Sequence, residues 1–238
     1  IGYQAPIPPA KNAFSYHQIN RSTHFAGGRL NAKLPLGNDY TIEFWLWNGL
    51  PADSRAVTGY VFSRGRDGDP DASGEHLGIG GTQQPHLAGR LFLFNGNKQN
   101  QILGGRNTLA FQAWHHVVFV REGDQVRVHL DGRTQPEIDG VFSHTIPEGE
   151  DALFLGGRND NLFNFEGKLD EIAIYDRSLS PDEIEAHYKA SALAPPSKIT
   201  ATGPVAHPMT PEASIKKIHI RDGYEIELVA REPLTMDP

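Results

Sequence analysis

The feature that most constrains this chain is a succession of short strand-forming segments separated by turn residues. Between about residues 22 and 176, runs rich in Val, Ile, Phe, Tyr and Trp follow one another, and several alternate polar with apolar side chains. Asn95-Gly96, Asp131-Gly132 and the stretch 122–124 have the residue types of tight turns. Many short strands joined by Gly and Asn turns, with almost no helix, predict an antiparallel β-sandwich.

Two local units are predicted in more detail. Residues 114–132, WHHVVFVREGDQVRVHLDG, should form a hairpin whose strands place Val118 and Val120 on one face and Val117 and Phe119 on the other. Residues 180–190 should form a short helix, because Ser180 suits the N-cap and is followed by Pro and, three residues on, by Glu. The predicted fold class is therefore all-β, a two-sheet antiparallel sandwich with one short C-terminal helix.

Composition divides the chain into four parts. Residues 1–21 are Pro- and Ala-rich and should form an extended arm, and residues 22–190 should form the sandwich. Residues 191–213, rich in Pro, Ala, Ser and Thr, are predicted to be a linker. Residues 214–238 return to strand character but are too short to close a domain, so we expect them to pair with an exposed sheet edge.

Charge and composition exclude several function classes. The chain has 22 Lys and Arg against 29 Asp and Glu, for a net charge of -7, which argues against a nucleic-acid groove or an anionic membrane surface. No apolar run approaches the roughly 20 residues of a membrane span. The absence of cysteine excludes disulfides, thiolate metal sites and a Cys nucleophile. The chain begins with Ile, so we expect a piece of a longer protein whose export signal was removed.

Residues 167–184, GKLDEIAIYDRSLSPDEI, follow the pattern G-x-[LI]-D-E-[IV]-x-[IV]-Y-[DN]-R-x-L-[ST]-x-x-E-I. This stretch resembles the C-terminal signature of the laminin-G-like, concanavalin A-like jelly-roll family. Three other blocks, YTIEFWLW, WHHVVFV with VRVHLDG, and LFLGGRND, are similar to further family strands in the same order. The resemblance implies a jelly roll over residues 22–190, but this fold carries lectin modules, adhesion domains, glycosidases and spacers alike.

The last residues carry a second resemblance. Residues 218–238, IHIRDGYEIELVAREPLTMDP, are similar to the lead-in strand of large planctomycete-type proteins with a sorbosone-dehydrogenase-like β-propeller. The resemblance implies a neighbouring propeller domain, and any dehydrogenase chemistry of that neighbour lies outside this chain.

The carboxylates of residues 167–184 do not have the spacing of a glycosidase pair. Glucanases of this fold use alternate residues of one strand, and retaining chemistry needs its two carboxyls about 5–5.5 Å apart. Asp170 and Glu171 are adjacent and should face opposite ways, whereas Asp176 lies about 20 Å from Asp170 along a strand at ~3.3 Å per residue. The sequence also has no G-x-S-x-G elbow. We therefore interpret this stretch as the closing strand of the fold and predict a protein that is not an enzyme.

Two groups of acidic residues are candidate Ca2+ ligands. Asp67, Asp69 and Asp71 alternate in a Gly-rich loop and Glu75 follows, an arrangement that suits the oxygen-rich shell of Ca2+. The alternative is a solvated acidic turn. The family resemblance implies a second site at Asp170, although residues 25–30, FAGGRL, lack the acid that the family pattern has after the Phe. The alternative for Asp170 is a structural hydrogen bond to backbone N–H groups.

A sugar-binding surface needs an aromatic platform with planar polar groups at its rim. Trp45 and Trp47 should share one face of a core strand with Glu43. The polar candidates lie in turns or at strand ends: Arg64, Asn95, Asn97, Arg158, Asn159 and Asn161. The alternative places the tryptophans in the packed interior.

These observations favour a non-catalytic recognition module for a polysaccharide, another glycan or an extracellular protein, within a larger exported multidomain protein. Two alternatives stay open, a structural spacer that docks a neighbouring propeller domain and a glycoside hydrolase. An aromatic groove with a polar rim would favour recognition, and a filled face would favour the spacer. Two carboxylates about 5–9 Å apart in an open cleft would favour the hydrolase.

Overall fold

The computed structural model describes residues 22–34, 36–71, 73–143 and 152–191. The predicted N-terminal arm at 1–21 and the C-terminal segment at 214–238 lie outside the described residues. The predicted linker, 191–213, lies outside them as well, except for Ser191. The predicted edge pairing of the C-terminal segment thus stays a prediction.

The chain forms two antiparallel six-stranded sheets. In chain order the strands are β1 Thr23–Ala26, β2 Leu30–Ala32, β3 Asp39–Asn48, β4 Val57–Gly65, β5 Gly74–Gly80, β6 Arg90–Phe94, β7 Ile102–Thr108, β8 Trp114–Glu122, β9 Gln125–Leu130, β10 Ile138–Val141, β11 Ala152–Leu155 and β12 Glu166–Tyr175. Sheet A has the order β1-β12-β3-β8-β9-β10, and sheet B has the order β2-β11-β4-β5-β6-β7. The prediction of an all-β, two-sheet antiparallel sandwich is confirmed.

The main core lies between the sheets and is built by alternate residues of each strand. Phe44 and Leu46 of β3 and Phe119 of β8 enter it from sheet A, and Phe62 and Leu77 enter it from sheet B. The Phe62 ring meets the rings of Phe44 and Phe119 edge to face, at centroid distances of 6.5 and 5.1 Å. Edge-to-face pairs add about 0.5–1.5 kcal/mol each beyond the area they bury, so they help to fix the two sheets against each other.

A buried group of charges also joins the two sheets. Glu75 of β5 is fully buried and accepts hydrogen bonds from Tyr40 of β3 and from the Nε of Arg121 of β8. Arg64 of β4 lies 4.0 Å from the same carboxylate and covers the Tyr40 ring at 4.8 Å. Burial, followed by the charge of Glu75, raises the pKa of Tyr40 well above its ordinary value. Tyr40 therefore stays protonated and serves as a donor to Glu75.

The single α-helix of the described chain, α1, spans Pro181–Ala190 and covers the outer face of sheet A. A short 3-10 helix spans Pro85–Leu87, between β5 and β6. Ser180 is the N-cap of α1 and forms a reciprocal capping box with Glu183, as predicted. Ile184 packs with Leu179 on Val118 and Val120, the outward-facing residues of β8. No helix in the described ranges has both the length and the apolar character needed to cross a membrane.

Residues 167–184, which match the family signature, supply most of β12. This strand lies between β1 and β3 inside sheet A. The strand carries a bulge between Asp170 and Ala173, where Glu171 adopts φ 49°. Beyond the bulge, Ile172 and Ile174 pack against the main core. This position agrees with the interpretation of the stretch as a closing strand.

Candidate functional site

The outer face of sheet B carries a groove of about 310 Å³ with an aromatic floor. Tyr60 of β4 and Phe92 and Phe94 of β6 form an apolar cluster that is separate from the main core. The Tyr60 and Phe92 rings meet edge to face at 5.6 Å. Leu87 and Ile102 extend the apolar surface toward β7. The groove thus offers ring faces and edges on a sheet surface that α1 does not cover.

Glycines let the floor rings lie close to the backbone. A Cβ atom at Gly78 would lie 2.8 Å from the Phe92 ring and 3.1 Å from the Tyr60 ring. A Cβ atom at Gly80 would lie 2.2 Å from the carbonyl oxygen of Leu87. The close approach that these glycines allow shapes the groove.

The rim of the groove is polar. Gln83 and Gln84 come from the connection between β5 and β6, Asn97 and Asn100 come from the turn between β6 and β7, and Arg158 comes from the connection before β12. Each amide presents both an N–H₂ donor and a carbonyl acceptor. None of the described residues that line the groove is Asp or Glu.

The guanidinium of Arg158 is the charged group of this lining, and a carboxylate holds it in place. Its Nε lies 2.7 Å from Oδ1 of Asp160, and its Nη2 contacts the other carboxylate oxygen. The guanidinium lies 5.3 Å from the centroid of Tyr60 and 5.7 Å from that of Phe94. Burial alone would raise the pKa of Asp160, but the hydrogen bond and charge of Arg158 outweigh burial and lower it. The two side chains therefore form a charged pair at the groove wall.

The loop that carries Arg158 is hydrogen-bonded to the rest of the sandwich. Nη1 of Arg29 donates to the carbonyl oxygens of Arg158 and Asn159, each at 2.7 Å, and Nδ2 of Asn164 donates to the Gly27 carbonyl at 2.6 Å. The carbonyl of Phe163 accepts from the Tyr60 N–H at 2.9 Å. Such bracing fixes the position of Arg158, so a contact made to its side chain would carry a low ordering cost.

Phe163 stands at the edge of the groove. The residue is 38% exposed and its backbone has φ 51°, a conformation that is uncommon for a bulky residue. Because a strained backbone needs support from its surroundings, the hydrogen bonds that brace this loop account for its stability. An exposed aromatic ring held in this way is a ready stacking surface.

The tryptophans that the sequence favoured as a platform lie on the other side of the molecule, on the outer face of sheet A. Trp45 is 4% exposed and lies beneath α1, so it occupies the packed position that the alternative interpretation gave the tryptophans. Trp47 is half-buried, with the Nζ of Lys168 4.4 Å from its ring centroid. Neither tryptophan lines the groove.

Glu43, the third residue of that set, is engaged by three side chains. It lies 2.7 Å from Nε2 of His116 and 3.0 Å from Nδ1 of His187, and it accepts from the Tyr175 hydroxyl at 3.0 Å. Burial alone would raise the pKa of Glu43, but the hydrogen bonds from both histidines lower it overall. The cluster fastens α1 and the end of β12 to β3 and β8.

Of the predicted polar residues, Asn97 and Arg158 line the groove and the others stabilise loops. Arg64 lies between the sheets and donates to the carbonyl of Gly37 at 3.0 Å. The Nδ2 of Asn95 donates to the Ser143 carbonyl at 3.2 Å, and the Nδ2 of Asn159 donates to the Asp69 carbonyl at 2.7 Å. Asn161 accepts a hydrogen bond from Asn164 at 2.9 Å, next to the groove loop.

The five predicted calcium ligands do not converge. Asp67 pairs with Arg29 at 2.7 Å, whereas Glu75 points into the core. Asp69 accepts from the N–H of Asp71 at 3.0 Å within the exposed loop. Oδ1 of Asp170 accepts from the Glu171 N–H at 3.0 Å, and burial raises the pKa of Asp170. In the described part of the chain, no group of three or more His, Asp or Glu is arranged to hold a metal ion. Calcium binding stays a prediction.

Sequence reasoning missed the floor of the groove, although a signal was present. In the segment RLFLF at residues 90–94, Leu91 and Leu93 point into the core while Phe92 and Phe94 point out. A strand of an antiparallel sandwich that is apolar on both faces has a second apolar surface to bury or to use. Neither Gln83 nor Phe163 has a comparable sequence signal, because loop geometry brings them to the groove.

The architecture, two antiparallel six-stranded sheets packed face to face, is that of a jelly-roll domain. A laminin-G-like family model, described as the concanavalin A-like lectin/glucanases superfamily, matches residues 22–185. The chain belongs to this superfamily.

Two solved structures show the same fold. Domain 4 of AbnA, an extracellular GH43 arabinanase from Geobacillus stearothermophilus solved with arabinotriose, is 20% identical with a TM-score of 0.52. The match covers 72% of this chain and 78% of that domain. A putative carbohydrate-binding protein from Bacteroides ovatus is 15% identical with a TM-score of 0.51, over 69% of this chain and 45% of its own.

Proposed function

We propose that this domain is a non-catalytic carbohydrate-binding module that holds a sugar chain in the groove on the outer face of sheet B. The observation that carries the proposal is the combination of an aromatic floor with a rim of amides and one guanidinium. A pyranose or furanose ring has an apolar C–H face that packs on an aromatic ring, and hydroxyls at its edge that need donors and acceptors. The groove supplies both kinds of partner within one concave surface.

The solved relatives support this interpretation of the groove. AbnA domain 4 was solved with arabinotriose, and the Bacteroides ovatus protein is described as a putative carbohydrate-binding protein. The extracellular setting of the arabinanase supports our further proposal that this domain belongs to an exported multidomain protein. A neighbouring propeller domain after residue 214 is part of the same proposal and rests on the resemblance of the C-terminal segment.

The lining of the groove supports a binding role over glycoside hydrolysis. Hydrolysis of a glycosidic bond needs an acid and a second carboxylate within about 5–9.5 Å of each other across the sugar. The described residues of the lining include neither Asp nor Glu, and Asp160 is engaged behind Arg158. We propose that any hydrolysis of the bound chain is performed by another protein or domain.

The first experiment is retention of the purified chain on a panel of insoluble and immobilised polysaccharides, in Ca2+ and in EDTA. We expect retention on at least one polysaccharide, and we expect it to be lost in a variant that combines Gln83→Ala with Asn97→Ala. The matched control is Gln135→Ala, an exposed amide that does not line the groove. Retention of the double variant at the wild-type level would place binding elsewhere.

The remaining outcomes separate the alternatives. Retention only in Ca2+ would support the calcium prediction at the loop of Asp67, Asp69 and Asp71 or at Asp170. Release of soluble sugar during the incubation would favour the glycosidase. Failure of wild type to bind any polysaccharide in either buffer would favour the spacer that docks a neighbouring domain.

A further inference from the structure

The electrostatics of the groove restrict which sugars fit it. Among the described residues of its lining, Arg158 is the one that carries a full charge. That charge is already balanced, because Asp160 binds the guanidinium through Nε and Nη2. Both side chains are largely removed from solvent, at 7% and 4% exposure. The groove wall therefore presents hydrogen-bonding N–H groups with little net charge.

A ligand carboxylate or sulfate would meet an unfavourable arrangement here. It would have to compete with Asp160 for the guanidinium, and success would leave a carboxylate of 4% exposure without its partner. Removing one partner of a buried ion pair is strongly unfavourable, because it leaves the other charge uncompensated. If the pair stayed intact, the Asp160 charge behind the guanidinium would offset most of its attraction for the anion, so the anion would lose hydration in the groove without a matching ion pair.

The rest of the rim matches hydroxyl groups. Gln83, Gln84, Asn97 and Asn100 offer amide donors and acceptors, which bind neutral hydroxyls without a change of charge. The floor of Tyr60, Phe92 and Phe94 adds apolar contact that does not depend on ligand charge. Every described contact surface of the groove thus suits an uncharged polar ligand.

We infer that the groove selects neutral polysaccharide chains over chains that carry carboxylates or sulfates, with Asp160 as the positioning residue that neutralises Arg158. This inference rests on the proposed function, because it specifies the ligand class of the same groove.

The test compares neutral and acidic forms of one backbone by isothermal titration calorimetry. Three pairs serve as probes: hydroxyethyl cellulose and carboxymethyl cellulose, methyl-esterified pectin and polygalacturonate, and unsulfated and sulfated laminarin. For any backbone that binds, we expect the neutral form to bind at least about tenfold more tightly, a difference of about 1.4 kcal/mol. Affinity for the neutral form should also be nearly independent of salt between low and physiological ionic strength.

Two variants assign the selectivity to the pair. Asp160→Asn leaves the Arg158 charge without its counter-ion, so the preference for the neutral form should shrink by at least about threefold. Asp182→Asn makes the same change of net charge at the exposed start of α1. This control variant should prefer the neutral polysaccharide to the same extent as wild type. If Asp160→Asn does not fold, the wild-type preference decides the inference alone.

The possible outcomes distinguish failure of the neutral-ligand inference from failure of the carbohydrate-binding proposal. Equal or tighter binding of the acidic forms by wild type would overturn the neutral-ligand inference and leave the carbohydrate-binding proposal standing. Absence of binding to both members of all three pairs, together with no retention on the polysaccharide panel, would overturn the carbohydrate-binding proposal itself.

Discussion

The indole of Trp45 and the phenol ring of Tyr188 stack with centroids 5.8 Å apart and planes 24° from parallel. Trp45 belongs to β3 and Tyr188 to the last turn of α1, so this contact fastens the helix across the outer face of sheet A. Gly132 makes room for it, since a Cβ atom there would lie 2.5 Å from that of Tyr188. The stacking buries Trp45 beneath the helix, so its indole is not exposed as a binding platform.

Replacing Tyr188 should separate the contribution of its ring from that of its hydroxyl. We expect Tyr188→Ala to lower the free energy of unfolding by about 2–3 kcal/mol, because loss of the ring leaves a cavity against Trp45. Tyr188→Phe should be as stable as wild type or slightly more stable, since the buried hydroxyl has no hydrogen-bond partner among the described residues. Urea denaturation followed by tryptophan fluorescence measures both, and a red-shifted native emission should accompany Tyr188→Ala. Equal stability of all three proteins would contradict this account of the helix contact.

The buried carboxylate of Glu75 is predicted to be essential for stability. The Arg121 side chain is 2% exposed, and Glu75→Gln would remove the carboxylate that binds its guanidinium. We expect the free energy of unfolding, measured by urea denaturation, to fall by about 3–5 kcal/mol. The matched control is Glu122→Gln, which removes an exposed pair with Arg127 and should cost less than about 1 kcal/mol. A large loss for Glu75→Gln in EDTA as well as in Ca2+ would show that its role is independent of the metal. A loss that appears only in Ca2+ would instead support its membership of a calcium site.

The hydrogen bonds at the start of α1 should make the stability of the fold depend on pH. Hydrogen bonds from Arg177, and then from Ser180, lower the pKa of Glu183 from 4.5 to about 2. Because the folded state binds this proton less readily than the unfolded state, the stabilising contribution is fully present above about pH 4.5. It is lost as the pH falls toward 2. Thermal unfolding across that range should therefore show a flatter pH dependence for Glu183→Gln than for wild type.

A control for this prediction lies on the same helix. Glu185 pairs with Lys189 at 2.8 Å on an exposed face of α1. Glu185→Gln should keep the slope of wild type between pH 4.5 and 2. If Glu183→Gln shows the same pH dependence of thermal unfolding as wild type and Glu185→Gln, ionisation of Glu183 is not coupled to folding through its bonds to Arg177 and Ser180.

Phe163 is predicted to contribute to ligand binding without contributing much to folding. Phe163→Ala removes a ring that is 38% exposed at the groove edge, and we expect about tenfold weaker binding to whichever polysaccharide the domain retains. Leu162→Ala, a neighbouring exposed apolar residue that does not line the groove, should bind as wild type does. Calorimetry measures the affinities, and urea denaturation checks that both variants are folded. Unchanged affinity for Phe163→Ala would remove this ring from the binding surface.

The fold could be predicted from the sequence because its signals are local. Alternation in residues 114–132 fixes which side chains of β8 and β9 enter the core, and the capping box of Ser180 and Glu183 fixes the start of α1. These signals need no knowledge of which strands are neighbours. The family resemblance added the order of the blocks, and the family model matches residues 22–185 of that stretch.

The groove could not be predicted in the same way, because its location depends on which face of each sheet is covered. Trp45 has the composition of a binding platform, and only the path of α1 determines that Tyr188 covers it. Arg64 and Arg158 look alike in sequence, yet one lies between the sheets and the other lines the groove. Long-range placement of loops decides between such residues, and a single sequence does not encode it in any local pattern.

Strand β5 has a consequence for how this domain can change over time. Its residues alternate between two tasks, with Glu75, Leu77 and Ile79 in the core and His76, Gly78 and Gly80 toward the aromatic face. The groove itself is completed by residues outside the strand, among them the rim amides of Gln83 and Gln84 and the exposed ring of Phe163. Exchange of these side chains would alter the groove without touching the interior. If the groove binds ligand as proposed, its preference can therefore change during evolution while the sandwich keeps its packing, because different residues determine the two properties.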